Sequence, residues 1–315
     1  MNHTISAIGI DIGGTNIKAA AFAEDGSLVN RWIRPTCDVR QDGIPPFAKA
    51  VRELLAEIDA DDVPVGLAAP GIAARDGRSI SFVSGKMYGL EGLDWTDFLG
   101  RRDPVPVLND GHAALLGEAW CGAAVGHRDA ILLTLGTGVG GAIMVGGRLL
   151  KGALGRAGHL GHVSVDENDE RSIFGMPGAL EIAIGNSTVA ARSEGRFSSS
   201  EQLVEAVRAG EPAATAVWLK SIRSLARALA SFINILDPEV IIIGGGIALA
   251  GDTLFKPLAA GLDAVEWRPR GHRVPILPAQ LGDWAGTCGA AFNAIRSTNG
   301  ADPAIGQTLS HSKRL

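Results

Sequence analysis

Several short stretches place acids, amides and glycines in spacings that could handle a phosphate or a hydroxyl group. In Asp11-Ile12-Gly13-Gly14-Thr15-Asn16, glycines between two apolar runs would let backbone N–H groups approach an anion. Asp11 could hold water around a magnesium ion. The same residues also read as an ordinary Gly-Gly hairpin turn, and the segment alone does not choose. Leu135-Gly136-Thr137-Gly138-Val139-Gly140-Gly141 is a second glycine and threonine turn. It lacks the lysine of a P-loop and runs into a strand rather than a helix N-terminus, so neither a P-loop nor a dinucleotide fingerprint fits. Two phosphate-type hairpins facing each other across a cleft are expected instead. Asn109-Asp110 closes one apolar run and opens an Ala-rich one. Either side chain could cap a helix there, yet the carboxyl ends of strands are also where open α/β sheets gather ligands.

Secondary structure must hold these residues in place. Ile8 to Ile12, Ile17 to Phe22 and Val63 to Ala69 read as strands separated by the turn signals Gly13-Gly14 and Asp25-Gly26. Phe47, Val51, Leu54, Leu55 and Ile58 recur on one helical face between them. Val105 to Leu108 reads as a strand, followed by a helix from His112 to Ala124 that is apolar on most faces. Ile131 to Leu135, the glycine turn and Ala142 to Val145 repeat the opening arrangement, so the chain holds two versions of one α/β unit. Leu219 to Leu236 follows helical spacing and stops at Asp237-Pro238, before a buried strand Val240 to Ile243 and the Gly244-Gly245-Gly246 turn. Ala290 to Ile295 is a final helix, and a polar tail is expected from Ser297.

The chain has 315 residues, 46% of them hydrophobic, which is enough to bury a large core divided between two lobes. A net charge of -5 without a long Lys/Arg run speaks against nucleic acid as a partner. Cys37, Cys121 and Cys288 are odd in number and scattered, which suggests reduced thiols packed as small apolar residues in the cytoplasm. No basic, apolar leader opens the sequence and no apolar stretch approaches spanning length, so no membrane association is expected. The 42 glycines are nearly twice the usual share of roughly 7%, and they cluster at strand ends, where tight turns meet a ligand.

DIGGTN (Asp11 to Asn16), LND (Leu108 to Asp110), LGTGVGGA (Leu135 to Ala142) and IIGGGIA (Ile242 to Ala248) occur in this order. Together they resemble the ROK family of bacterial-type sugar kinases, repressors and open reading frames. The likeness runs from about Ile5 to Ile295 and includes Leu281-Gly282-Asp283, Ala285-Gly286 and Gly289-Ala290-Ala291 near the end. It implies an actin-like ATPase (ribonuclease H-like) fold of two lobes with duplicated mixed sheets and a central cleft. The lobes are expected at 1–118 and 119–296, the last helix packing back on the first lobe, with a tail over 297–315. By the same resemblance, ATP phosphates would lie on Gly13, Gly14, Thr15 and Asn16 and on Gly136, Thr137 and Gly138. The adenosine would lie by Gly244, Gly245 and Gly246, and Asp11 would reach Mg2+ through water. Asp110 would be the general base, and Gly71, Asn109, Asp110, His162 and Glu181 would hold the sugar. A cytoplasmic homodimer is the expected assembly.

Two segments depart from the family pattern. The family's GEIGH is here Gly158-His159-Leu160-Gly161-His162, which puts a histidine where a sugar-binding glutamate usually stands. The CxCGxxGC zinc loop is here Ser172-Ile173-Phe174-Gly175-Met176-Pro177-Gly178-Ala179, without its cysteines, so no structural zinc is expected. The implied activity is transfer of the ATP γ-phosphate to a sugar hydroxyl, the 6-OH of glucose or a related aldohexose. Fructose or an N-acetylhexosamine (ManNAc or GlcNAc) is an alternative acceptor, and a sugar-binding protein without catalysis is an alternative function. The family's repressors carry a winged helix-turn-helix ahead of the kinase-like part, and the position of Asp11 is expected to leave no room for one.

Overall fold

The computed structural model describes residues 4–40, 42–58, 62–85, 87–166, 170–172 and 175–298. Strands β1 (Ala7–Ile12), β2 (Asn16–Phe22) and β3 (Leu28–Pro35) form an antiparallel meander, followed by helix α1 (Pro46–Ile58). Strands β4 (Val65–Ala69), β5 (Ile72–Ala73) and β6 (Ile80–Phe82) come next, then α2 (Trp95–Leu99), β7 (Val107–Asn109) and α3 (Asp110–Cys121). The second half repeats the meander with β8 (Ala130–Leu135), β9 (Val139–Val145) and β10 (Arg148–Leu149). Helices α4 (Leu180–Ile184), α5 (Val189–Arg192), α6 (Ser200–Arg208) and α7 (Pro212–Leu236) lead to β11 (Val240–Gly244), α8 (Asp252–Val265), β12 (Ile276–Pro278) and α9 (Ala285–Thr298).

The duplication expected from the sequence is explicit in the sheets. One is ordered β3-β2-β1-β4-β7 and the other β10-β9-β8-β11-β12. In each, the meander's first strand also pairs in parallel with a later strand, β1 with β4 and β8 with β11. The chain forms two compact units. The first holds the described residues through Arg128, Ile143–Ala157 and those from Gln280 on, and the second holds Asp129–Ala142 and Gly158–Ala279.

In the first unit the core gathers Ile8, Ile10, Phe47, Leu54, Leu67 and Trp95 between the sheet and α1. The other sheet face takes α9, which lies unusually close to the strands. A Cβ on Gly9 of β1 would fall 1.7 Å from the Thr287 carbonyl oxygen. Glycine is therefore what allows this helix to sit on the sheet. α9 begins at Ala285 and runs through Thr298, so Ser297 and Thr298 belong to its last turn, and residues 299–315 of the tail expected at 297–315 lie outside the described residues. Among the described residues no helix is long and apolar enough to cross a membrane.

Candidate active site

Strand register in the first unit brings the acids to one edge. Asp11 is level with Ala68 of β4, and Ala69 is level with Asn109 of β7. All three strands run parallel, so Asp11 and Asp110 emerge at the same carboxyl edge, two strand spacings or about 10 Å apart. Asn109 is buried and caps α3: its Oδ1 accepts from the Gly111 and His112 amides at 2.9 and 3.3 Å. Its Nδ2 donates to the Gly71 carbonyl at 2.8 Å, which ties Gly71 to the same edge. Of the two capping candidates, Asn109 does the capping, and Asp110 stands exposed in the first helical turn with Oδ1 accepting from Gly111 N–H at 2.7 Å.

Beside it, the Gly13-Gly14 turn is closed by Gly13 N–H donating to the Asn16 carbonyl at 3.0 Å. Thr36 steadies the turn from β3's side through its hydroxyl to the Gly13 carbonyl at 2.7 Å. Gly14, Thr15 and Asn16 are exposed. Burial, then the negative charge of Asp110, pushes the Asp11 carboxyl from the usual 3.8 up to about 7; Lys18 pulls it down and Asp283 adds repulsion. Lys18 is opposite Asp11 in the β1–β2 register and reaches Asp283 at 3.4 Å.

Glu118 of α3 is a residue that the sequence patterns did not single out. It is fully buried, and its carboxylate accepts from the amides of Ala123 at 2.6 Å, Gln280 at 3.0 Å and Leu281 at 2.9 Å. Through these bonds the helix that starts at Asp110 fixes the segment leading to Asp283. The two ends of the contact lie 162 and 163 residues apart, so no local signal could have marked it.

The second unit gathers the other predicted residues around two turns. Gly244 is level with Thr134, and Gly245 sits at φ +85, where an added Cβ would meet the Leu135 carbonyl oxygen at 2.4 Å. The Gly136-Thr137-Gly138 turn is held from outside: Asn186 N–H donates to the Gly136 carbonyl at 2.8 Å and Ser187 N–H to the Thr137 carbonyl at 3.0 Å. Arg192 supports that brace by donating to the Gly185 carbonyl at 2.7 Å and to Thr188 Oγ1 at 3.2 Å. A cavity of about 530 Å³ opens between the turns, lined by Gly136, Thr137, Gly246, Ser200 and Leu249, the last 84% exposed.

His159, His162 and Glu181 also come together. The imidazole rings stack at 6.1 Å between centroids and 7° between planes. His162 Nδ1 lies 3.6 Å from Glu181 Oε1, which is buried without a hydrogen bond. Glu181 abuts Gly138, whose added Cβ would lie 2.9 Å from its Oε2, so the polar group and the turn are neighbours.

A model of the ROK family matches residues 7–297. The chain belongs to the ROK family. A glucokinase of Thermotoga maritima is 34% identical over 81% of this chain and 86% of that protein. Among solved structures, the ROK hexokinase from Thermus thermophilus is 30% identical with a TM-score of 0.80, over 94% of this chain and 99% of that one. A ROK family glucokinase from Streptomyces griseus, solved in complex with glucose and AMPPNP, is 28% identical with a TM-score of 0.72, over 91% of this chain and 98% of that one. The ROK fold is that of the actin-like ATPases, and the two like sheets here are its repeated halves. As for the altered zinc loop, Ile173 and Phe174 lie outside the described residues. Among the described residues no three His, Cys, Asp or Glu side chains gather as a metal site.

Proposed function

We propose that the chain is an ATP-dependent hexose kinase that phosphorylates the 6-OH of glucose or a related aldohexose. The observation that carries this reading is the exposed carboxylate of Asp110 just past the carboxyl end of β7, two residues beyond the level of Asp11 and on the side of its glycine turn, in a ROK family chain. In the proposed reaction Asp110 accepts the proton of the sugar hydroxyl as that oxygen bonds to the γ-phosphorus. The bond from γ-phosphorus to the bridging oxygen breaks, and ADP leaves.

Amides of the Gly13-Gly14 turn and the Gly136-Thr137-Gly138 turn are assigned to the phosphates, and the cavity beside Gly246 and Leu249 to the adenosine. Gly71, Asn109, His159, His162 and Glu181 are assigned to the sugar. Polar groups of this kind discriminate between hexoses because each one left unpaired by a wrong sugar costs about 1–3 kcal/mol. Asp11, whose carboxyl feels the charges of Asp110 and Asp283, is assigned to a divalent cation through water, and since no three His, Cys, Asp or Glu side chains gather among the described residues, water and phosphate oxygens would make up most of its shell. Magnesium, when bound, supplies neutralisation of the phosphate oxygens. The cytoplasm, suggested by the scattered cysteines, and a homodimer, suggested by the family, belong to the same proposal.

Release of ADP, measured across glucose, mannose, fructose, N-acetylglucosamine and N-acetylmannosamine, tests it. Sugar-dependent release that is greatest with an aldohexose is the expected result. A preference for fructose or an acetylated sugar would reassign the acceptor, and no sugar-dependent release with any of the five would overturn the kinase reading.

A further inference from the structure

The cysteines that look scattered in the sequence include a close pair. Cys121 ends α3 and Cys288 lies in the first turns of α9, 167 residues later, yet their sulfurs are 3.0 Å apart. The contact is fixed by how the two helices cross. A Cβ on Gly289 would fall 1.7 Å from the Ala113 carbonyl oxygen, and one on Gly117 would fall 2.5 Å from that of Ala285. The backbones are already touching, so the side chains beside the crossing cannot drift apart. Cys121 is half-buried and Cys288 is buried, whereas Cys37 is exposed.

The two sulfurs also differ chemically. A hydrogen bond from Cys288 holds the Cys121 thiol below the usual range, against the opposing effects of burial, Glu118 and Asp25. The same bond and burial push Cys288 up, with the charges of Cys121 and Glu118 acting in the same direction. The glutamate among these groups is engaged by backbone amides, and the aspartate by Ser27. Cys121 is thus the sulfur suited to react as thiolate, with a thiol in place to resolve the product.

We propose that Cys121 and Cys288 are an oxidative modification site, a dithiol that a hydroperoxide converts to a disulfide joining α3 to α9. The Cys121 thiolate attacks a peroxide oxygen, the O–O bond breaks, and an alcohol leaves after taking up a proton. Cys121 is then a sulfenic acid. The Cys288 sulfur attacks it, the S–O bond breaks and water leaves, carrying the Cys288 proton. Two thiols lose two electrons in total to one hydroperoxide, and the products are one disulfide, one alcohol and one water. The sulfurs are within about 1 Å of bonding distance, so closing the bond needs only a small side-chain adjustment. The bond would join the helix that begins with Asp110 to the helix whose Gly286 packs on Asp11.

The test uses the full chain, treated with one equivalent of tert-butyl hydroperoxide under denaturant-free conditions, then alkylated and mapped by mass spectrometry without reduction. Of three thiols, one should remain, that of Cys37, and a peptide pair linked through Cys121 and Cys288 should appear and vanish with dithiothreitol. Cys37→Ala should give the same linked pair. Cys288→Ala should leave Cys121 trapped by dimedone as a sulfenic acid, with unfolding curves confirming that the variant is folded. Dimers linked through Cys37 in place of the internal pair, or Cys121 oxidised to sulfinic acid while Cys288 still alkylates, would overturn the proposal.

Discussion

Strands β1 and β8 are each six residues long, and in each only the fifth residue escapes full burial: Asp11 in one, Thr134 in the other. Each strand then enters a glycine turn and returns antiparallel. From that shared frame the two turns diverge. The first leaves Gly14, Thr15 and Asn16 exposed and sits among Asp11, Lys18, Asp110 and Asp283. The second has carbonyls bound by Asn186 and Ser187 and no acid at the strand end, and Glu181 and two histidines lie beyond it. Duplication has therefore kept the backbone geometry while an acid stands at the strand end in only one copy. In the proposed reaction, proton transfer and cation binding fall to the first turn and positioning to the second.

If that division is right, the largest effect should come from Asp110→Asn. The change keeps the size of the side chain and removes its basicity, so kcat should fall at least about 10²-fold, or roughly 2.7 kcal/mol of barrier. Binding of sugar, followed by intrinsic fluorescence or calorimetry, should change little. Near wild-type turnover would detach the chemistry from the first unit and with it the contrast between the two turns.

This acid edge was largely legible in the sequence, because Asp11-Ile12-Gly13-Gly14 and Asn109-Asp110 are local patterns at strand ends. The supports were not. β3 is half-exposed along its length, so it shows no clean apolar alternation. α9 was expected only from Ala290, yet it begins at Ala285, since Ala-Gly-Thr-Cys-Gly packs by closeness and not by large apolar side chains. α7 starts at Pro212, before the apolar spacing that betrays it at Leu219, because a proline fits the first turn of a helix. Glu118 and the Cys121–Cys288 pair depend on partners more than 160 residues away, a separation that no windowed reading of one sequence can bridge.

The turns themselves can be compared by adding one methyl group to each. Gly245→Ala forces a side chain onto a positive φ and against the Leu135 carbonyl, so it should destabilise the protein by about 2–3 kcal/mol. Gly14→Ala meets nothing within 4 Å and should stay within about 0.5 kcal/mol. Urea unfolding of both variants measures the difference. Equal losses would mean that the second turn is no more tightly fitted than the first.

A pH-dependent effect separates Asp11 from its counterpart Thr134. Folding raises the Asp11 carboxyl from 3.8 to about 7, so between those values the folded state holds a proton that the unfolded state has lost. Stability without ligands should therefore decline as pH rises through this window, by at most about 1.4 kcal/mol per pH unit from this group. Partial hydration of the half-buried Asp11 makes the observed slope shallower. Asp11→Asn should flatten the contribution, and Thr134→Val should leave it intact. A slope that persists in Asp11→Asn would assign it to other groups.

The smallest expected change concerns recognition beside the second turn. His159 is stacked on His162, which faces the buried Glu181. A neutral imidazole offers one donor and one acceptor, whereas the glutamate usual in the family offers acceptors only. His159→Glu would add a second carboxylate near Glu181 and reverse the hydrogen-bonding character offered to a sugar hydroxyl. The ratio of kcat/KM between glucose and N-acetylmannosamine should shift by about threefold to tenfold, since one altered polar contact is worth on the order of 1 kcal/mol. kcat with the best sugar should change less, because the proposed base, Asp110, is untouched. His159→Gln keeps both a donor and an acceptor and should stay closer to wild type than the glutamate variant does. Identical sugar ratios in all three proteins would remove His159 from the sugar-contacting set and leave recognition by the second unit to His162 and Glu181.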